Sequence, residues 1–323
     1  MRRMAIAILV IAVALAAAWF FGPRVSRNAE LTFDPAAMGS DVEAWLAESE
    51  AKFPDIKDGL AKEIVWAFPA SKARTPLAIV YVHGFSASKG EIRPVPDRVA
   101  EALGANLFFT RLAGHGRGGP AMADGSVNAW INDYAEALAI GHRLGERVVV
   151  IATSTGATIA AWAATRPAFD DEVAGLVLVS PNFGIQAGGA TLLTGPWGLQ
   201  LARLLVGAER GFEPVNEAHE RLWTTRYPTE ALLPMAAFVD MAAGAPVEKA
   251  TTPALFIYSD KDAVVRADIT DTIAARWGAA HEELKVEDSG DPSNHVIAGD
   301  ALSPATTEPV ANRITEWIRK TVE

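Results

Sequence analysis

The sequence predicts an α/β fold: a mostly parallel central sheet with helices on both faces and one helical insertion. Three observations predict it. Short apolar runs alternate with helix-length segments, the pattern of repeated strand–helix units. The run at residues 77–82 is apolar throughout, as a strand covered on both faces must be. Finally, about 70 residues between Pro181 and Pro253 break the alternation with apolar, helix-like stretches cut by Pro and Gly.

The elements follow in order. Residues 1–27 form an N-terminal apolar segment, and residues 28–61 a linker with an amphipathic helix at 41–52. The α/β domain takes residues 62–323. Its strands are expected at 63–68, 77–82, 106–110, 147–152, 173–179, 254–258 and 283–286. Its helices are expected at 91–103, 126–144, 157–165, 266–277 and 308–322. The insertion, at about 182–252, carries Leu192, Leu193, Trp197, Leu199, Leu204 and Leu205, then Trp223, Tyr227, Met235, Phe238 and Met241, and shows no strand pattern. An insertion there sits above the carboxyl ends of the strands, where ligand sites of α/β sheets lie. It reads as a helical cap.

Bulk properties narrow the function. Of 323 residues, 50% are apolar and 21% charged, ordinary for a globular chain. The formal charge is −10. Four of the 29 basic residues (Arg2, Arg3, Arg24, Arg27) precede residue 28, so the remainder sets 25 basic against 39 acidic residues, a net −14. Such a body is unsuited to nucleic acid, whose binding needs cations against phosphates. There is no cysteine, hence no disulfide, thiol nucleophile or thiolate metal site.

Residues 4–21 are all apolar, preceded by Arg2 and Arg3 and followed by Gly22, Pro23 and Arg24. As a helix this run is about 27 Å long, close to the hydrocarbon thickness of a bilayer. It reads as an uncleaved membrane anchor. The alternative is a signal peptide cleaved after Ala16-Ala17-Ala18. The anchor is preferred because the run exceeds a usual signal core and ends in Trp19-Phe20-Phe21, aromatics suited to the membrane interface. Either reading exports the body, to the periplasmic face of the inner membrane in a bacterium or, after cleavage, as a secreted protein.

The chemistry centres on Ser154, in Ala152-Thr153-Ser154-Thr155-Gly156 after a β-branched run. A strand, a small-x-Ser-x-Gly turn and a helix-forming segment make the layout of a nucleophile elbow, in which the hydroxyl is thrust into the open. Ala152 replaces the commoner glycine and tightens the packing by one methyl. A serine hydroxyl needs a base. Among six histidines, His142, His219 and His281 read as surface or packing residues, and His83 and His115 as loop-shaping ones. His295 stands in a polar, turn-rich loop after the last strand and can swing over the serine. The imidazole needs an anion behind it. Asp262 is expected there, since Ala263-Val264-Val265 would pin its loop; Asp260 is the next candidate, while Asp288 and Asp291 serve the turn. Donors for a developing oxyanion are expected from the backbone N–H of Thr155, at a helix start, and of Phe85 in His83-Gly84-Phe85-Ser86.

Taken with Arg111-Leu112-Ala113-Gly114-His115-Gly116, Ser259-Asp260-Lys261-Asp262 and Asn294-His295-Val296, these motifs resemble the α/β-hydrolase superfamily over about residues 62–320. The order Ser, Asp, His is that family's order. The Gly-His-Gly loop and the cap are similar to its monoacylglycerol-lipase, carboxylesterase and serine-aminopeptidase-like branch. The resemblance implies catalytic roles for Ser154, Asp262 and His295 and an oxyanion hole at Phe85 and Thr155. It leads us to expect a serine hydrolase of carboxylic esters working through an acyl-serine. The apolar cap and the anchor suggest a small-molecule or lipid ester substrate such as a monoglyceride or lysophospholipid, and with no metal-ligand cluster or phosphate loop in the sequence no metal and no cofactor are expected. Two alternatives stand beside it. One is an aminopeptidase or amidase with the same triad, for which Glu213, Glu217 and Glu220 would meet a substrate ammonium. The other is a hydrolase-like fold kept as a binding module.

Overall fold

The computed structural model describes residues 2–169 and 172–322. Seven strands form the central sheet: β1 (Glu63–Val65), β2 (Thr75–Val82), β3 (Asn106–Phe109), β4 (Gly145–Thr153), β5 (Gly175–Val179), β8 (Ala254–Tyr258) and β9 (His281–Lys285). The order is β1-β3-β2-β4-β5-β8-β9. Only β1 runs antiparallel to its neighbour; every other pairing is parallel.

The apolar runs are explained by what lies on each face. Along β2, Ala78, Val80 and Val82 join the core beneath α4 (Val127–Leu144), α5 (Thr155–Ala163) and α9 (Ala267–Ala275). Leu77, Ile79 and Tyr81 join the opposite core, beneath α3 (Val95–Leu103) and α10 (Pro304–Thr321). β4 splits the same way, with Val148, Val150 and Ala152 on one face and Val149 and Ile151 on the other. A period of two therefore persists, but both faces are dry, so the sequence shows an unbroken run.

Helix boundaries follow local chemistry. Ser126 caps α4, its hydroxyl accepting the Ala129 N–H at 3.0 Å. The expected helix at 91–103 begins at Val95 instead, because Pro94 and Pro96 restrict their predecessors and supply no N–H, and Glu91 turns inward. α10 begins at Pro304, four residues before the expected start, with proline at its first position where no N–H is needed.

Before the sheet, α1 (Arg2–Phe21) has no buried side chain, and α2 (Val42–Ala51) is capped by Asp41, which accepts from the Glu43 and Ala44 N–H groups. The chain between them lies as a strap on α4 and on α8 (Leu232–Ala243). Asn132 Oδ1 accepts from the Thr32 and Phe33 N–H groups, and Arg27 pairs with Asp240 at 2.7 Å. An Arg111–Glu50 pair at 2.7 Å fastens the linker to the body, and a buried Lys62–Glu136 pair holds the first residue of the domain onto α4.

Between β5 and β8 stand α6 (Gly198–Val206), α7 (Glu217–Leu222) and α8, but also a hairpin of β6 (Glu209–Gly211) and β7 (Arg226–Pro228). The expectation of helices alone in this insertion is thus corrected. The β6 strand is exposed and polar, and only Tyr227 of β7 is buried, so no apolar alternation announces either. α8 seats Phe238 against Trp130 at 6.2 Å and Trp162 at 6.0 Å.

Gly156 shows how closely β4–α5 approaches β2. A Cβ there would run into the Val82 carbonyl oxygen and stand 2.7 Å from that of His83. Both are backbone, at the end of the central strand β2 and just beyond it, and cannot readily yield. Gly156→Ala is expected to destabilise the fold by about 1–3 kcal/mol, an overpacking cost, read as a lower midpoint in urea unfolding.

Candidate active site

The sheet delivers four chain segments to its carboxyl edge: the loops after β2, β4, β8 and β9. Ser154 closes β4 with φ 50° and ψ −116°, unusual for a residue with a side chain. Its N–H donates to Val179 O at 2.8 Å, which holds the turn. Ser86, Ser180 and Asn294 also have positive φ, and all adjoin this site. Backbone strain persists only where surroundings over-determine it, and it concentrates at working sites. Ala152 is fully buried in the α4/α5 core, so the extra methyl is accommodated.

His295 Nε2 lies 3.0 Å from Ser154 Oγ, and its Nδ1 2.8 Å from Asp262 Oδ2. Asp262 is 3% exposed; its other oxygen accepts from the Val264 and Val265 N–H groups, each at 2.8 Å. A buried carboxylate so held can only accept from the imidazole. Nδ1 therefore carries the proton, and Nε2 is left to accept from the serine hydroxyl. Burial is the largest single influence on His295 and opposes its charge. The Asp262 charge and hydrogen bond, aided by Glu91 and Asp291, together outweigh it and raise its pKa above the ordinary imidazole value.

The remaining acidic candidates lie elsewhere. Asp260 pairs with Lys285 and Asp288 with Lys261 on the surface. Asp291 organises the histidine loop: its Oδ2 accepts from the His295 N–H at 3.0 Å and the Val296 N–H at 2.9 Å. His142 faces Glu172, His219 lies between Phe212 and Trp223, and His281 opens β9.

Among the described residues, none accepts a hydrogen bond from the Phe85 or Thr155 N–H. Thr155 opens α5, where the helix leaves its amides unbonded. The Phe85 loop is pinned from both sides. His115 Nε2 accepts the Ser86 N–H at 3.0 Å, and His83 Nε2 accepts the Leu112 N–H at 3.1 Å. Each ring must then be neutral, with its proton on Nδ1. Burial, then for His83 the Arg111 charge, favours this form: the His83 pKa falls to about 4 and that of His115 well below its usual value.

Sequence reasoning missed Glu91, 2% exposed beside the same loop. Its Oε2 accepts the Gly84 N–H at 2.7 Å and the Tyr81 hydroxyl at 3.0 Å. A Cβ on Gly84 would stand 2.7 Å from Glu91 Oε1 and 3.1 Å from Ser154 Cβ, so the carboxyl borders both loop and serine. Burial pushes its pKa up to about 7, against the hydrogen bond from Gly84 and the attraction of His295. In sequence it resembled an ordinary acid at a helix start; only the two prolines after it hinted at a turn. Glu91→Gln keeps an acceptor for the Gly84 N–H and removes an anion that favours charged His295. We expect activity within about tenfold of the parent, with the acid limb of the kcat/KM profile at lower pH. Glu91→Ala strands a buried N–H, at about 1–3 kcal/mol of stability.

The sheet order, the strained serine turn, and a carboxylate and a histidine supplied from the loops after β8 and β9 define an α/β-hydrolase architecture. Residues 79–303 match the model of the alpha/beta hydrolase family, and the chain belongs to that family. It is 26% identical over 212 residues to the thermostable monoacylglycerol lipase of Bacillus sp. (strain H-257), covering 65% of this chain and 80% of that one. Among solved structures, it is similar to one described with LipS and LipT, two metagenome-derived lipolytic enzymes (TM-score 0.67, 21% identity, 82% of this chain and 99% of that one). It is also similar to Paleococcus ferrophilus monoacylglycerol lipase (TM-score 0.57, 16% identity, 81% and 99%).

Proposed function

We propose that this chain is a membrane-anchored serine hydrolase that cleaves carboxylic esters, with lipid-derived esters such as a monoglyceride or lysophospholipid as substrates. The Ser154–His295–Asp262 alignment carries this reading. His295 Nε2 takes the hydroxyl proton as Ser154 Oγ attacks the acyl carbonyl. The resulting oxyanion is met by the Phe85 and Thr155 N–H groups. The C–O bond to the alcohol breaks, and His295 returns the proton to that oxygen. Water then loses a proton to the same imidazole and attacks the acyl-serine, and the acid leaves with Ser154 restored. General base catalysis of this kind supplies about 10²–10⁴-fold, and each oxyanion donor about 10²–10³-fold.

The lipid preference is supported by the monoacylglycerol lipase among the relatives. It is supported also by α1, whose mean hydropathy of 2.7 over a membrane-length window suits an anchor. With that anchor the body is exported, on the periplasmic face of the inner membrane in a bacterium. The test is kcat/KM for p-nitrophenyl esters from acetate to palmitate, with the full chain in nanodiscs. Activity rising with chain length is expected. Activity confined to short chains would remove the lipid assignment. Turnover of amides alone would favour an amidase.

A further inference from the structure

The exposed large apolar side chains of the body are unevenly placed. Leu31, Phe53, Phe68 and Val264 are scattered and Phe212 and Val215 stand a little further along the insertion, whereas Leu192, Trp197, Leu201, Leu204, Leu205 and Val206 fall within fifteen residues of it. Leu201, Leu204 and Leu205 share one helical face of α6 by their spacing. Leu204 is 81% and Leu205 67% exposed, while Ala202 on the other side is buried. This helix presents leucine outward, the reverse of a surface helix in water.

The same helix begins at the exit of α1. The Trp197 N–H donates to Pro23 O at 2.8 Å, and the Trp197 indole N–H to Ala18 O at 2.9 Å. Ala18 lies in the last turn of α1, where a helix leaves its carbonyls unbonded. Gly22 permits the approach: a Cβ there would stand 2.5 Å from Trp197 Nε1 and 2.7 Å from Ala18 O. Trp197 itself is held at φ 62°. At 1.5 Å per residue, Leu204 and Leu205 lie only about 11–12 Å along α6 from this junction. The aromatic end of α1, Trp19-Phe20-Phe21, suits the headgroup layer, and interfacial helices bury their apolar face about 5–10 Å into it.

From this continuity we propose that the leucine face of α6 docks on the phospholipid bilayer that α1 enters, holding the insertion flat against the membrane surface. The proposal rests on the anchor reading of α1. It gives the insertion a fixed seat over the site: the Thr224 N–H donates to Ser86 O at 2.7 Å, and Leu222 packs against Gly90.

The chain has no cysteine, so single substitutions give clean labelling sites. Full-length chains carrying Leu204→Cys, Ala14→Cys or Glu316→Cys are labelled with a nitrobenzoxadiazole dye and placed in nanodiscs containing doxyl-labelled phosphatidylcholine. Glu316 is a control on the last turns of α10, whose Trp317 contacts Gly175 at the start of β5, the sheet edge opposite the site. The proposal expects the label at 204 to be quenched at least about twofold more than at 316, as for a side chain seated at the acyl boundary. Quenching at 204 no stronger than at 316 overturns it. The label at 14 reports the anchor separately: quenching there without quenching at 204 leaves the anchor standing and removes the docked face. Absence at both removes both.

Discussion

Ser154→Ala is expected to lower kcat for ester hydrolysis by about 10³–10⁶-fold while leaving the fold intact. Removing a nucleophile of this kind costs up to about 10⁶ in kcat, because the remaining groups can only assist water. The hydroxyl makes one side-chain hydrogen bond, to His295. The turn depends instead on the Ser154 N–H to Val179 O and on Gly156 against β2, neither of which the substitution touches. Initial rates on a chromogenic ester and a thermal unfolding curve, taken together, separate lost chemistry from lost structure. A rate within tenfold of the parent would mean that Ser154 is not the nucleophile.

Asp262→Asn is expected to cost about 10³–10⁴-fold in kcat, with little change in stability. The amide oxygen of asparagine can keep the Val264 and Val265 N–H groups, so the loop stays. The NH₂ group then faces His295 Nδ1 and donates to it, which drives the imidazole proton to Nε2, the wrong side. The pH profile adds a second reading. The base must be neutral, so kcat/KM falls as pH drops through the pKa of free His295. That pKa is raised, although burial opposes it, chiefly by Asp262. The parent limb should therefore lie above the usual imidazole value of about 6.5. In Asp262→Asn the burial remains and the anion is gone, so the limb of the residual activity should move to lower pH. A limb that stayed in place would assign it to another group.

Which features were legible in the sequence depended on whether a local signal existed. The strand at 254–258 announced itself through an apolar run that ends in an Asp-bearing turn, whereas β9, His-Glu-Glu-Leu-Lys, is mostly polar and half-exposed and was legible only in part. Ser154 was legible because the elbow needs small neighbours at fixed offsets, and the order Ser, Asp, His restricted its partners. Glu91 was not, since nothing local distinguishes a carboxylate that turns inward to Gly84 from one that faces water. The β6–β7 hairpin was hidden because its short strands are mostly polar. The Trp197–Ala18 contact joins residues 179 positions apart, beyond any periodicity.

The central claim is an activated Ser154 that forms a covalent acyl intermediate. It is tested most directly by mass spectrometry of the full-length chain after treatment with a fluorophosphonate, which phosphonylates activated serines. The account predicts one adduct per chain, located on Ser154, absent in Ser154→Ala and formed far more slowly in His295→Ala. An adduct on another residue, or an unmodified chain that nevertheless hydrolyses esters, would contradict it.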